Sequence, residues 1–129
     1  MAFKLGSKSK ERLKGVDKRI IEILDLALTI TIIDFGIPAY GGLRDAGTQR
    51  LLFAKGVSKC DGIKNKSAHQ SGLAFDIFAY VDGGASWDSY RLTQCAAAIL
   101  QAASLLGYEL EWGGLYRGFV DMPHFQLKE

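Results

Sequence analysis

Two hydrophobic periods alternate along this chain, and the places where one replaces the other outline its elements. Ile20, Ile21, Ile23, Leu24, Ala27 and Leu28 recur near helical spacing, with Lys18, Glu22 and Asp25 on the other side. That pattern predicts an amphipathic helix with Asp17 as its N-cap. A shorter helix is expected over residues 7–14, ended by Gly15, and another over residues 48–55, closed by Gly56. The longest helix starts from Asp88 or Ser89. Leu92, Cys95, Ile99, Ala102, Ala103 and Leu106 form its apolar stripe, and Gly107 ends it.

Between the helices the apolar residues run together. Leu73-Ala-Phe-Asp-Ile-Phe-Ala-Tyr-Val81 reads as one buried strand, stopped by the turn Asp82-Gly83-Gly84. Pro38, Gly41 and Gly42 restrict any strand over residues 36–44 to a short, bulged or edge strand. Two more short strands are expected at 108–112 and 124–127, joined by a loop over 113–123. Strands mixed unevenly with helices indicate an α+β domain rather than a doubly wound one. No repeat or linker divides residues 1–129, and a chain of that length, 48% hydrophobic, can bury one core without disulfide staples.

Charge removes some functions and leaves others open. Lys+Arg number 16 and Asp+Glu 14, a balance that provides no basic face of the size nucleic-acid binding requires. The net +2 is compatible with approach to an anionic polymer such as a cell wall, an attraction that salt weakens. Residues 1–10 hold no apolar run after their lysines, so no secretory signal is read and a cytosolic product is expected. The most apolar stretch, residues 20–33, contains Glu22 and Asp25 and falls short of the roughly 20 apolar residues of a membrane span. Cys60 and Cys95 lie in no metal-binding spacing and are expected to stay reduced.

One residue contradicts its surroundings. Asp76 sits in the middle of the apolar strand, where an unpaired carboxylate is very costly, and strand alternation points it with Phe78 into a cleft. A salt bridge to Arg44 or Arg91 would satisfy it. So would a metal, because the chain has two histidines, His69 and His124, each near a carboxylate, and two imidazoles with one aspartate make a three-ligand set. Three protein ligands and an open fourth position are the pattern of a catalytic zinc site. In Asp121-Met-Pro-His-Phe-Gln-Leu127, His124 and Gln126 share a strand face while Phe125 and Leu127 face the core. Pro123 leaves Asp121 on the preceding loop, able to curl over the metal as a general base and acid, or to be an ordinary exposed turn residue.

Ser67-Ala-His69-Gln-Ser-Gly72-Leu-Ala74-Phe-Asp76 resembles the Ser-x-His-x-x-Gly-x-Ala-x-Asp signature of the D-alanyl-D-alanine carboxypeptidase and L-alanyl-D-glutamate peptidase family of zinc enzymes. Asp121-Met-Pro-His124 resembles its second motif. The opening from Phe3 to Leu13, Gly42-Leu-Arg44 and Trp112-Gly113-Gly114 look like the phage endolysin branch. The resemblance implies a small antiparallel sheet flanked by helices, as in hedgehog and D-Ala-D-Ala peptidase domains. It implies Zn2+ on His69, Asp76 and His124, Asp121 as catalytic acid and base, and Arg44 near the cleft. Arg44 would stabilise the oxyanion or grip a substrate carboxylate, or form an ion pair with Asp45 or Asp76. Ser67 is expected beside the ligands, or in a tight turn, and Trp112 in the substrate groove, or as a core plug.

The implied activity is hydrolysis of the L-alanyl-D-glutamate bond of bacterial peptidoglycan by a monomer. It would be held in the host cytoplasm until the membrane is permeabilised, with no nucleic-acid partner and no membrane insertion. The alternatives are removal of the terminal D-alanine, or a zinc domain that binds without catalysis. Cys60-Asp-Gly-Ile63, Asp45 and Leu115-Tyr116 depart from the family pattern around the groove, which bears on substrate preference more than on the reaction.

Overall fold

The computed structural model describes residues 2–56 and 68–128. Its helices are α1 (Ser7–Arg12), α2 (Lys18–Ile30), α3 (Ala46–Ala54) and α4 (Ser89–Leu106). Its strands are β1 (Phe35–Gly36), β2 (Ala74–Asp76), β3 (Phe78–Val81), β4 (Gly84–Ser86), β5 (Leu110–Trp112) and β6 (His124–Leu127). All four helices fall where the hydrophobic periodicity placed them, within a few residues, and the α+β class holds.

The local chemistry explains the helix ends. Asp17 caps α2 by accepting from the Arg19 backbone N–H, Asp88 caps α4 through Arg91, and Gly107 ends α4 in the left-handed conformation at φ 79°. α2 packs on α4: Ile20, Ile23, Leu24, Ala27 and Leu28 are buried against a face of α4 rich in alanine, which allows a close approach.

The strands form two antiparallel sheets, ordered β1-β3-β4 and β2-β6-β5, instead of one. The run 73–81 is divided at Ile77, whose N–H donates to the Pro123 carbonyl. Before it the chain pairs with β6; after it, with β1 and β4. The side-chain alternation continues through this change of partner: Phe75, Ile77 and Ala79 are fully buried, while Asp76, Phe78 and Tyr80 turn the other way. A run of apolar residues carries that alternation but not the identity of the neighbouring strand, so the division is invisible in the sequence. The short return strand β4, too small and polar to show a period, follows a turn in which Asp82 and Gly83 both have positive φ (53° and 80°).

Phe75 and Phe125, directly opposite on β2 and β6, stack at 5.0 Å in the core. The turn that leads into β2 is tied to the N-terminal helices: Asp17 N–H donates to the Gly72 carbonyl at 2.8 Å. Gly72 has φ 72°, and a Cβ there would lie 2.9 Å from the Gly15 carbonyl oxygen, so only glycine lets the two segments touch.

The Asp17 cap gives a pH test. The Arg19 side chain and then its backbone N–H hold the Asp17 carboxyl at about 2, below its ordinary 3.8. A lowered folded value stabilises wherever the unfolded carboxyl is ionised, so the contribution is complete above about pH 4 and fades toward pH 2. Asp17→Ala is expected to cost about 1 kcal/mol at neutral pH. In thermal melts across pH, the gap between variant and wild type should close on acidification.

Candidate metal centre

The register of β2 on β6 sets Asp76 directly opposite His124, on the face turned away from the Phe75–Phe125 stack. His69 reaches them from the turn before β2. Three donor atoms then converge: His124 Nδ1 lies 3.1 Å from Asp76 Oδ1, His69 Nε2 3.3 Å from the same oxygen, and the two nitrogens 3.2 Å apart. Zinc bound tetrahedrally at its usual nitrogen and oxygen distances would separate its ligand atoms by about 3.3 Å. The triangle therefore has the size such an ion requires. Among the described residues this is the one cluster of histidine, cysteine or acidic side chains able to hold a metal.

Each ligand is also fixed from behind. His69 Nδ1 lies 2.9 Å from the Gly42 carbonyl, which can only accept, so Nδ1 carries the hydrogen and the Nε2 lone pair faces the centre. His124 Nε2 donates to Gln126 Oε1 at 2.8 Å, leaving Nδ1 to face inward. Asp76 Oδ2 accepts from Arg44 Nη2 at 3.2 Å, leaving Oδ1 for the centre. Both histidines are buried, at 2% and 9% exposure. Burial opposes ionisation of Asp76, but whenever the inward nitrogens of His124 and His69 carry hydrogen in place of a metal, their bonds and charge outweigh it and hold the carboxyl well below the usual range. Burial likewise disfavours a charge on His124, and Asp76 outweighs it, raising the histidine.

Arg44 is engaged at each of its nitrogens: Nε donates to the Tyr40 carbonyl at 2.7 Å, Nη1 to Gln49 Oε1 at 3.1 Å, and Nη2 to Asp76. Of the partners considered for it, the structure selects Asp76. Asp45 instead caps α3 through the Thr48 N–H, and Arg91 lies with Gln94 at the start of α4.

Asp121 stands on the loop before β6, half-buried. Burial and then the neighbouring Asp76 charge raise its carboxyl pKa, against opposing effects of His124, His69 and Arg44. Its N–H donates to the Gly113 carbonyl, and its own carbonyl accepts from His124 N–H. A Cβ on Gly113 would collide with the Asp121 carbonyl oxygen, so the glycine at the end of β5 lets the loop close. Tyr116, which the sequence reading left without a role, brings its ring to 6.2 Å from His124; burial, Glu111 and Asp121 push its hydroxyl up to about 12, keeping it a proton donor at neutral pH.

Trp112, expected in the groove or as a core plug, pairs with Phe125 and so lies on the opposite face of the sheet from His124. Its indole stacks on Phe125 at 6.3 Å, and its N–H donates to the Met122 carbonyl at 2.7 Å, bracing the loop that carries Asp121. Ser67 and Cys60 lie outside the described residues. Cys95 is a buried free thiol whose pKa burial pushes up to about 11. Gln126 and the fully buried Gln49 are the polar supports whose function the sequence did not disclose. Gln126 was visible two positions after His124 on the same strand face, whereas nothing local marks Gln49 as a partner of Arg44.

A small α+β domain with a buried His-Asp-His triangle and a carboxyl on a loop above it has the parts of a metallopeptidase. The chain belongs to the phage L-alanyl-D-glutamate peptidase family, whose model matches residues 1–127. The L-alanyl-D-glutamate peptidase of Escherichia phage T5 is 30% identical over 139 residues, covering 98% of this chain and 99% of that protein. The crystal structure of the Serratia marcescens L-Ala D-Glu endopeptidase ChiX superposes with a TM-score of 0.84 at 32% identity, over 97% of this chain and 90% of that one.

If Gln126 sets the orientation of His124, Gln126→Leu should weaken divalent-metal binding about 10- to 100-fold while the fold persists. Chelator competition beside circular dichroism measures both. Unchanged affinity would remove Gln126 from the site.

Proposed function

We propose that this chain is an endolysin that hydrolyses the L-alanyl-D-glutamate bond of peptidoglycan stem peptides, with Zn2+ held by His69, Asp76 and His124. The observation that carries the reading is the triangle of donor atoms 3.1–3.3 Å apart, each oriented by a hydrogen bond to its far side. Family membership over residues 1–127 supports the bond assigned.

Zinc in this position would polarise the scissile carbonyl and acidify the attacking water. The remaining work belongs to the chain. Asp121, its pKa raised by burial, takes the proton from the water and hands it to the departing amine. Arg44 is a positioning residue: it fixes the Asp76 carboxylate while Tyr40 and Gln49 fix it in turn. Tyr116, its ring 6.2 Å from that of His124, keeps a protonated hydroxyl that can donate to a substrate oxygen.

In this reading residues 1–129 form one catalytic domain acting as a monomer on the cell wall. The protein waits in the host cytoplasm until another factor opens the membrane. No described helix is long and apolar enough to cross a membrane.

Asp121→Asn should keep the fold and the bound zinc and lower cleavage of purified peptidoglycan by at least a hundredfold, on the order of the usual general acid–base contribution. Chelation should abolish cleavage and zinc should restore it. Mass spectrometry of the digest should show new L-alanine carboxyl and D-glutamate amino ends. Release of D-alanine alone would identify a carboxypeptidase, and zinc binding without any product a non-catalytic domain.

A further inference from the structure

Beyond Asp76 the chain passes through Ile77 from β2 into β3 of the other sheet. The alternation runs on through Ile77, so Phe78 and Tyr80, like Asp76, turn away from the buried Phe75, Ile77 and Ala79, at roughly 7 and 13 Å along the chain from Asp76. Trp87 joins them from just beyond β4. Phe78 meets Tyr80 edge-on at 4.8 Å and Trp87 at 6.1 Å, yet Trp87 remains 53% and Tyr80 40% exposed.

The cross-strand neighbours keep this row open. Gly36 is opposite Phe78 and Ala85 opposite Tyr80. A Cβ on Gly36 would fall 2.9 Å from the Phe78 ring and 3.0 Å from the Tyr80 hydroxyl, so the rings lie across bare backbone. Past Tyr80 the surface opens into a groove of about 360 Å3, lined in part by apolar side chains such as Ile32 and Ile33 and in part by Asp34, Asp82 and Arg91. Two exposed aromatic rings, set on the buried Phe78 and leading into a groove of mixed apolar and charged lining, are the composition of a ligand surface.

We propose that this aromatic row is a glycan subsite, which binds the N-acetylhexosamine chain of peptidoglycan while the stem peptide occupies the metal centre. The inference rests on the peptidase reading and extends it. In peptidoglycan the stem peptide is joined through its L-alanine to the lactyl group of N-acetylmuramic acid, so the sugar is one residue from the bond that is cut. A glycan that close is within reach of a surface that begins two residues past Asp76. The C–H faces of pyranose rings, weakly positive, suit the negative faces of Trp87 and Tyr80, and Asp34, Asp82 and Arg91 offer partners for hydroxyl and acetamido groups.

The test compares a disaccharide-tetrapeptide with the same tetrapeptide lacking sugar, alongside binding of the peptide-free disaccharide followed by indole fluorescence. Trp87→Ala and Tyr80→Ala should each raise KM for the sugar-bearing substrate about tenfold, leave its kcat, and leave the sugar-free peptide unchanged. Trp87→Phe should restore most of the loss. The disaccharide should perturb the emission of wild type and not that of Trp87→Ala. Equal losses on both substrates, no loss on either, or a dimer in sedimentation that Trp87→Ala dissociates would overturn the subsite. If wild type cuts neither substrate, the peptidase reading fails, and disaccharide binding still decides the subsite.

Discussion

Three lone-pair atoms within 3.3 Å of one another repel unless protons or a cation stand between them. In this protein the cost is accepted because each donor is fixed by a partner on its far side: the Gly42 carbonyl behind His69, Gln126 behind His124, Arg44 behind Asp76. That arrangement would make the centre a preformed receptor for a divalent ion rather than a set of flexible side chains that must be gathered by it. It also makes the surrounding fold a device for placing a carbonyl, an amide and a guanidinium.

The pairing of β2 with β6 is the step on which the centre depends most. A slip of one residue would turn His124 into the core and Phe125 into the cleft. The register is held by Phe75 and Phe125, whose stack is buried on one face while Asp76 and His124 meet on the other. Core packing and metal geometry are thus two readings of one strand pair. α2 and α4 complete the core, and the link from Asp17 to Gly72 fastens the turn that carries His69 onto the N-terminal helices.

The two carboxyls of the site are pushed in opposite directions. Asp76, beside the two histidines, is held ionised, and Asp121, desolvated and facing the Asp76 charge, is raised; under the proposed reading the first suits a metal ligand and the second a group that accepts and returns a proton. Environment, not residue type, separates their titration. Trp112 contributes from the far side of the sheet, where its hydrogen bond to Met122 and its stack on Phe125 support the loop under Asp121.

Helices were legible in the chain because a period of about 3.6 residues and a capping side chain are local properties. The ligand set was legible because a chain with two histidines and one aspartate in an apolar strand leaves few candidates for a metal. What remained hidden shares a physical cause: partners distant in sequence leave no periodic trace. The division of residues 73–81 between two sheets, the choice of Asp76 over Asp45 by Arg44, the support from Gln49 and the turning of Trp112 toward the core were all decided by packing. Composition and spacing selected the atoms; only the tertiary structure brought them to within one ion's reach of each other.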